Sequence, residues 1–140
     1  MSHSRRRLAC LAALALGGVA LAAAPPRSAW SGVYTDEQAN AGEKIYYARC
    51  SSCHGDELGG IERAPALAGA QFLEAWRGRT LRRLLERIEE MPPTDPKSLS
   101  PADAVAVLAF LLRSSEMPSG PAALPADRTQ LADITIDRAP

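Results

Sequence analysis

Cys50-Ser51-Ser52-Cys53-His54 is the stretch from which the rest of the chain is read. Two cysteines separated by two residues and followed at once by a histidine form the attachment pattern of a c-type haem. The spacing has a chemical basis. Residues three apart on a helical turn share a face, so both thiols reach the two vinyl groups along one edge of a porphyrin. His54 then brings its imidazole beneath the ring as an axial iron ligand. Two other chemistries use paired cysteines. A zinc site takes about four ligands, and once His3 is lost with a leader the chain offers one histidine, too close to Cys53 for both to close easily on one ion. A dithiol redox motif sits at a strand–helix junction, and no strand pattern precedes Cys50. With haem attached, the chain must also supply an export signal, a second axial ligand and a helical shell.

Upstream, Thr35-Asp36-Glu37-Gln38 has the form of a capping box, with Thr35 as N-cap and Gln38 reaching back. It predicts a helix from Asp36 to Arg49 that delivers the chain into the cysteine turn. Ala39, Gly42, Ile45 and Tyr46 make one packing face. Gly42 inside a helix costs about 1 kcal/mol relative to alanine, which predicts another helix passing close by. Residues 25–34, with Pro25, Pro26, Ser28 and Gly32, read as a linker. Before them, Arg5, Arg6 and Arg7 precede an apolar run from Leu8 to Ala24 that ends in small residues, the pattern of a secretory signal peptide. Ala20-Leu21-Ala22 is the best cleavage triplet. The alternative is an uncleaved membrane anchor, but the run lies at the short edge of the ~17–25 residues that span a bilayer and is rich in weakly inserting alanine. The twin-arginine look of Ser4 to Leu8 is loose, and Cys10 precedes the apolar run where lipidation needs it to follow.

Downstream, Gly55 and Gly59-Gly60 mark a loop, and Gln71 to Arg77 reads as a short helix closed by Gly78. Thr80 caps a helix from Leu81 to Glu90 with Leu81, Leu84, Leu85 and Ile88 as its apolar stripe. Arg82, Arg83, Glu86, Arg87, Glu89 and Glu90 form its solvated face, and Met91-Pro92-Pro93 stops it. Ser100-Pro101-Ala102-Asp103 is a strong helix start. The helix that follows, with Val105, Val107, Leu108, Phe110, Leu111 and Leu112, is apolar on more than half its circumference and must be deeply buried. From Glu116 the chain is rich in proline and alanine, with a single helical turn near Asp127–Ala132. The expected organisation is a signal peptide over 1–22, a linker over 23–34, one domain over 35–115 and a proline-rich tail over 116–140. The class is all-α, about four helices around one haem, because β-branched residues never alternate.

A length of 140 residues leaves room for one domain. Sixteen basic and sixteen acidic side chains give zero formal charge, which argues against a nucleic-acid partner held through phosphates. Losing Arg5, Arg6 and Arg7 makes the exported protein mildly acidic, and two haem carboxylates add to that. Cys10, Cys50 and Cys53 are too few for a disulfide scaffold, and there is no phosphate-binding glycine loop. With no second histidine, the soft thioether of methionine is the common choice for the sixth iron position. Met91 and Met117 are the candidates. Met91 sits in a proline-rich loop between helices, free to approach a ring, whereas Met117 lies beyond the last helix. An open sixth site is the remaining alternative.

From Gly42 to Arg113 the chain resembles a class I cytochrome c. Gly42-Glu43-Lys44-Ile45-Tyr46-Tyr47-Ala48-Arg49-Cys50 matches the family's first helix running into its haem motif. The resemblance implies that Gly42 and the following aromatic pack against Phe110, Val107 and Leu111. It implies that the Pro65 carbonyl accepts the His54 Nδ1–H and that Met91 is the axial methionine. The finer pattern Trp76-Arg77-Gly78-Arg79-Thr80-Leu81, Met91-Pro92-Pro93 and Leu99-Ser100 is similar to cytochromes paired or fused with periplasmic quinoprotein alcohol dehydrogenases. There Trp76 lies near the haem propionates, an alternative to a plain core aromatic. The cofactor-binding set is thus Cys50, Cys53, His54, Pro65, Trp76 and Met91, with His54 and Met91 on iron. The implied function is periplasmic one-electron transfer, without catalytic residues or a small-molecule substrate. Electrons come from a dehydrogenase and pass to an oxidase or another cytochrome. A subunit bound tightly to a dehydrogenase or oxidase is the alternative, and a haem enzyme or gas-binding protein with an open site is a further one. A shell of Leu67, Leu84, Leu85, Ile88 and Leu108 is expected to keep water from the iron.

Overall fold

Two helices crossing at a glycine organise the computed structural model, which describes residues 27–140. The signal peptide read over 1–22 lies outside the described residues. Helix α1 (Asp36–Arg49) starts at Thr35, whose hydroxyl accepts from the Gln38 N–H at 3.3 Å. Acids Asp36 and Glu37 in its first turn and Arg49 in its last complement the helix dipole. It leads into a single turn, α2 (Ser51–His54), and then a loop to α3 (Gly69–Trp76). Helix α4 (Leu81–Glu89) is capped by Thr80, and α5 (Pro101–Ser114) by Ser100, which accepts from the Asp103 N–H at 3.1 Å.

A Cβ added at Gly42 of α1 would lie 1.9 Å from the Ala106 carbonyl oxygen of α5. The two backbones touch there, which is why the helix accepts a residue of poor propensity. One turn on, the Tyr46 ring packs 5.3 Å from that of Phe110. Every residue from Ala104 to Leu112 of α5 is buried, as its apolar circumference requires. Helix α4 buries Leu81, Leu84, Leu85 and Ile88. Its outer face carries Arg82–Glu86 at 3.8 Å, Arg83–Glu86 at 3.0 Å and Arg87–Glu90 at 2.8 Å. Such solvated pairs contribute about 0.3–0.5 kcal/mol each. Packing of the apolar stripe, not charge, holds α4 in place.

From residue 27 on, the segments expected as linker and tail are packed parts of the fold. Ala29, Val33 and Tyr34 before α1 are buried, as are Met117, Leu124, Leu131, Ile134 and Ile136 after α5. A further helix, α6 (Arg128–Ala132), lies in the C-terminal segment. Two short strands, β1 (Arg27–Ser28) and β2 (Ile134–Thr135), pair in parallel and are the exception to an otherwise helical fold. The sequence does not show this packing because the buried residues of both segments are isolated and spaced without helical or strand period. Gln38 also differs from expectation. Its side chain does not reach back to cap α1; its amide donates to the Leu124 carbonyl at 3.1 Å and accepts from the Leu124 N–H at 2.9 Å. The folded unit therefore extends beyond 35–115 at both ends. Among the described residues, no helix is long and apolar enough to cross a membrane.

Candidate functional site

Cys50 ends α1. Its N–H still bonds to the Tyr46 carbonyl at 2.8 Å, but its backbone (φ −123°, ψ −33°) leaves the helix, and α2 restarts from its own carbonyl. The Cys53 and His54 N–H groups donate to that carbonyl at 3.2 and 3.0 Å. This break turns Cys50, Cys53 and His54 toward one cavity. Gly55 (φ +81°) reverses the chain, and its carbonyl accepts from the buried Tyr46 hydroxyl at 2.6 Å. Burial pushes the Tyr46 phenol up to about 12, so it remains a donor at neutral pH.

The loop after His54 is closed by Gly60, whose N–H bonds to the His54 carbonyl at 2.9 Å. At φ +81°, and with a Cβ there meeting the Ala64 oxygen at 2.5 Å, this position admits only glycine without a shift of backbone. The tight turn brings the Pro65 carbonyl to 2.9 Å from His54 Nδ1. A peptide carbonyl only accepts, so Nδ1 carries the hydrogen and the lone pair of the neutral ring falls on Nε2. The imidazole is thereby oriented and left with one basic nitrogen, the state a metal ligand needs.

The cavity has a volume of about 330 Å3 and is lined by all six residues singled out from the sequence: Cys50, Cys53, His54, Pro65, Trp76 and Met91. Helix α4 supplies Leu84 and Ile88, α5 supplies Val107 and Leu111, and the loops supply Leu67 and Leu99. Leu85 and Leu108, expected in this shell, are instead buried in the core away from the cavity lining. Met117 is buried but does not line the cavity, and its carbonyl accepts from the Tyr34 hydroxyl at 2.5 Å. Burial pushes the Cys50 thiol up. Two free cysteines at one end, an imidazole nitrogen, a thioether and an apolar wall suit an iron porphyrin.

The sequence reading missed the cations of this cavity, Arg49, Arg79 and Arg87. Arg87 was open to detection, because it falls three residues after Leu84 on α4, in the last turn before the Met91 loop. Arg79 carried no such signal. Trp76 is half-buried, with the Phe72 ring 6.3 Å away and the Arg79 guanidinium 5.6 Å over its own ring.

No curated protein matches the chain. Among solved structures it is similar to a chain of the sulfane dehydrogenase SoxCD from Paracoccus pantotrophus, at 19% identity and a TM-score of 0.48. That match covers 76% of this chain and 62% of the other, so the chain spans less than two thirds of that relative. The profile of the family described as cytochrome c oxidase, cbb3-type, subunit III matches residues 37–111, more than half of the chain. The match takes in all but the first residue of α1, the cysteine turn, the whole cavity lining and most of α5. The chain therefore belongs to the cbb3-type subunit III family of class I c-type cytochromes, with a small cytochrome c fold, haem c and its iron as cofactor, and electron transfer as the family's role.

Proposed function

We propose that the protein is an exported one-electron carrier in which Cys50 and Cys53 hold the haem through thioether bonds and His54 and Met91 are the axial ligands. The observation that carries this reading is the convergence of these four side chains on one apolar cavity, with His54 Nδ1 bonded to the Pro65 carbonyl. When bound, haem c supplies a one-electron iron couple, and a methionine thioether raises its potential. The chain's own residues supply the setting. Pro65 fixes the His54 tautomer, and Leu67, Leu84, Ile88, Val107 and Leu111 exclude water. The exposed Cys53 marks the end of the cavity that a protein partner meets.

The chain's organisation in this reading is a leader over 1–22 that is removed on export to the periplasm, followed by the packed unit. The likeness of Trp76–Leu81, Met91–Pro93 and Leu99–Ser100 to dehydrogenase-associated cytochromes supports a periplasmic quinoprotein-type dehydrogenase as donor. An oxidase or another cytochrome is the acceptor. The family's name favours a second reading, a subunit fixed in an oxidase complex, and a fixed subunit of a dehydrogenase complex is read out in the same way.

The ferric protein is expected to be low-spin with a methionine-to-iron charge-transfer band, and Met91→Ala to lose that band. A five-coordinate high-spin parent, or a Met91→Ala protein with an unchanged band, overturns the assignment. N-terminal sequencing and co-purification separate a free carrier from a fixed subunit.

A further inference from the structure

The residues after α6 form the middle member of a three-way backbone pairing. On one side, the Arg27 N–H donates to the Asp133 carbonyl at 2.7 Å, and β1 pairs with β2. On the other, the Gly78 N–H donates to the Ile136 carbonyl at 2.8 Å and the Ile136 N–H to the Arg79 carbonyl at 2.9 Å, with Thr80 bridged to Thr135. Ile136 is fully buried, so this strand is fixed to the core by its side chain and to the α3–α4 connection by its backbone.

What it holds is cavity wall. Arg79 and Trp76 both line the haem cavity, and the guanidinium lies 5.6 Å over the indole. Of the other two arginines there, Arg49 donates to Ser98 Oγ at 2.7 Å and Arg87 pairs with Glu90 at 2.8 Å. Among the described residues, neither Arg49 nor Arg79 forms an ion pair, and of the three arginines Arg79 alone makes no side-chain hydrogen bond either. A guanidinium fork with no carboxylate of its own, set against an aromatic face, is suited to receive one. Haem c carries two.

We infer that Arg79 is the counter-charge for a haem carboxylate and that Ile136, through its two backbone hydrogen bonds, is the positioning residue that keeps it there. The inference rests on the haem reading above. A cation held beside the ring favours the reduced state, because reduction adds negative charge near it. The C-terminal strand then acts on the potential without touching the cofactor.

The test uses the full-length, haem-loaded protein. Arg79→Gln is expected to lower the reduction equilibrium constant about tenfold, about 59 mV for a one-electron couple, and Arg79→Lys to recover part of it. Ile136→Pro, which removes the N–H that holds the Arg79 carbonyl, is expected to lower the potential in the parent and leave it unchanged in the Arg79→Gln background. If that variant does not accumulate, Ile136→Ala in the full-length chain, which loosens the buried anchor of the strand, is read in the same way. An unmoved potential in Arg79→Gln, or an Ile136→Pro shift of equal size in both backgrounds, overturns the inference while the haem reading stands. A parent without covalent haem overturns both.

Discussion

Gly42 and Ser115 place opposite demands on single positions. At Gly42, alanine gains about 1 kcal/mol of helix propensity. Its Cβ, however, lies 1.9 Å from the Ala106 oxygen and 2.4 Å from the Ala106 carbonyl carbon, both backbone atoms without a rotamer to yield. Overpacking costs about 1–3 kcal/mol even where side chains can move. Gly42→Ala should therefore lose at least about 2 kcal/mol net, read as a lower denaturant midpoint at unchanged slope. Ser115 is 2% exposed, and its hydroxyl finds no hydrogen-bond partner among the described residues. Leaving such a group unsatisfied costs about 1–3 kcal/mol, so Ser115→Ala should stabilise the protein by about 1 kcal/mol in the same measurement. At this scale the site was legible wherever its chemistry is local. The spacing of Cys50, Cys53 and His54 is a property of one helical turn. Arg79 was not legible, because its placement depends on Ile136, far along the chain.

Among the elements, those with a cap and a periodic face were readable from sequence, and those held by long-range backbone bonds were not. Thr35, Thr80 and Ser100 each mark the start of a helix found in the structure. Helix α6 was legible only as a turn. Its docking was hidden, because it depends on Leu131 buried beneath it and on Arg128, which bonds both Glu89 carboxylate oxygens, at 2.6 and 2.8 Å. Asp127 caps α6. Its carboxylate accepts from the Thr129 N–H at 2.8 Å and the Gln130 amide at 3.3 Å, and the Thr129 bond foremost holds its pKa below the ordinary value. A depressed folded pKa contributes stability that is present above the unfolded pKa and lost as pH falls through the folded one. Helix α6 should therefore loosen below pH ~4, seen as shifts of the Thr129 and Gln130 amide resonances. Asp127→Asn should abolish that step, and an unchanged acid transition in the variant would assign it to another carboxylate.

Over the whole molecule, the segments outside α1–α5 complete a core that five helices leave open. Residues 116–140 contribute Met117, Leu124, Leu131, Ile134 and Ile136, each no more than 4% exposed. They also bring the Met117 carbonyl to the Tyr34 hydroxyl, the Leu124 backbone to Gln38, and Gly120 so close to Gly32 that a Cβ on Gly120 would lie 2.0 Å from the Gly32 oxygen. A fully buried aliphatic side chain contributes about 1.5–3 kcal/mol, an upper figure because the unfolded chain already buries some of it. Even so reduced, five such residues match the about 5–15 kcal/mol by which a whole domain is usually stable. The same segment carries Ile136, so one stretch of chain both completes the core and holds the cavity wall. A chain ending at Ser115 retains the entire family match and every cavity-lining residue, yet it should show no cooperative thermal transition by circular dichroism. A cooperative transition within about 5 °C of the full chain, close to the shift expected for only 1 kcal/mol in a domain of this size, would show that α1–α5 fold unaided and that the C-terminal segment is an accessory.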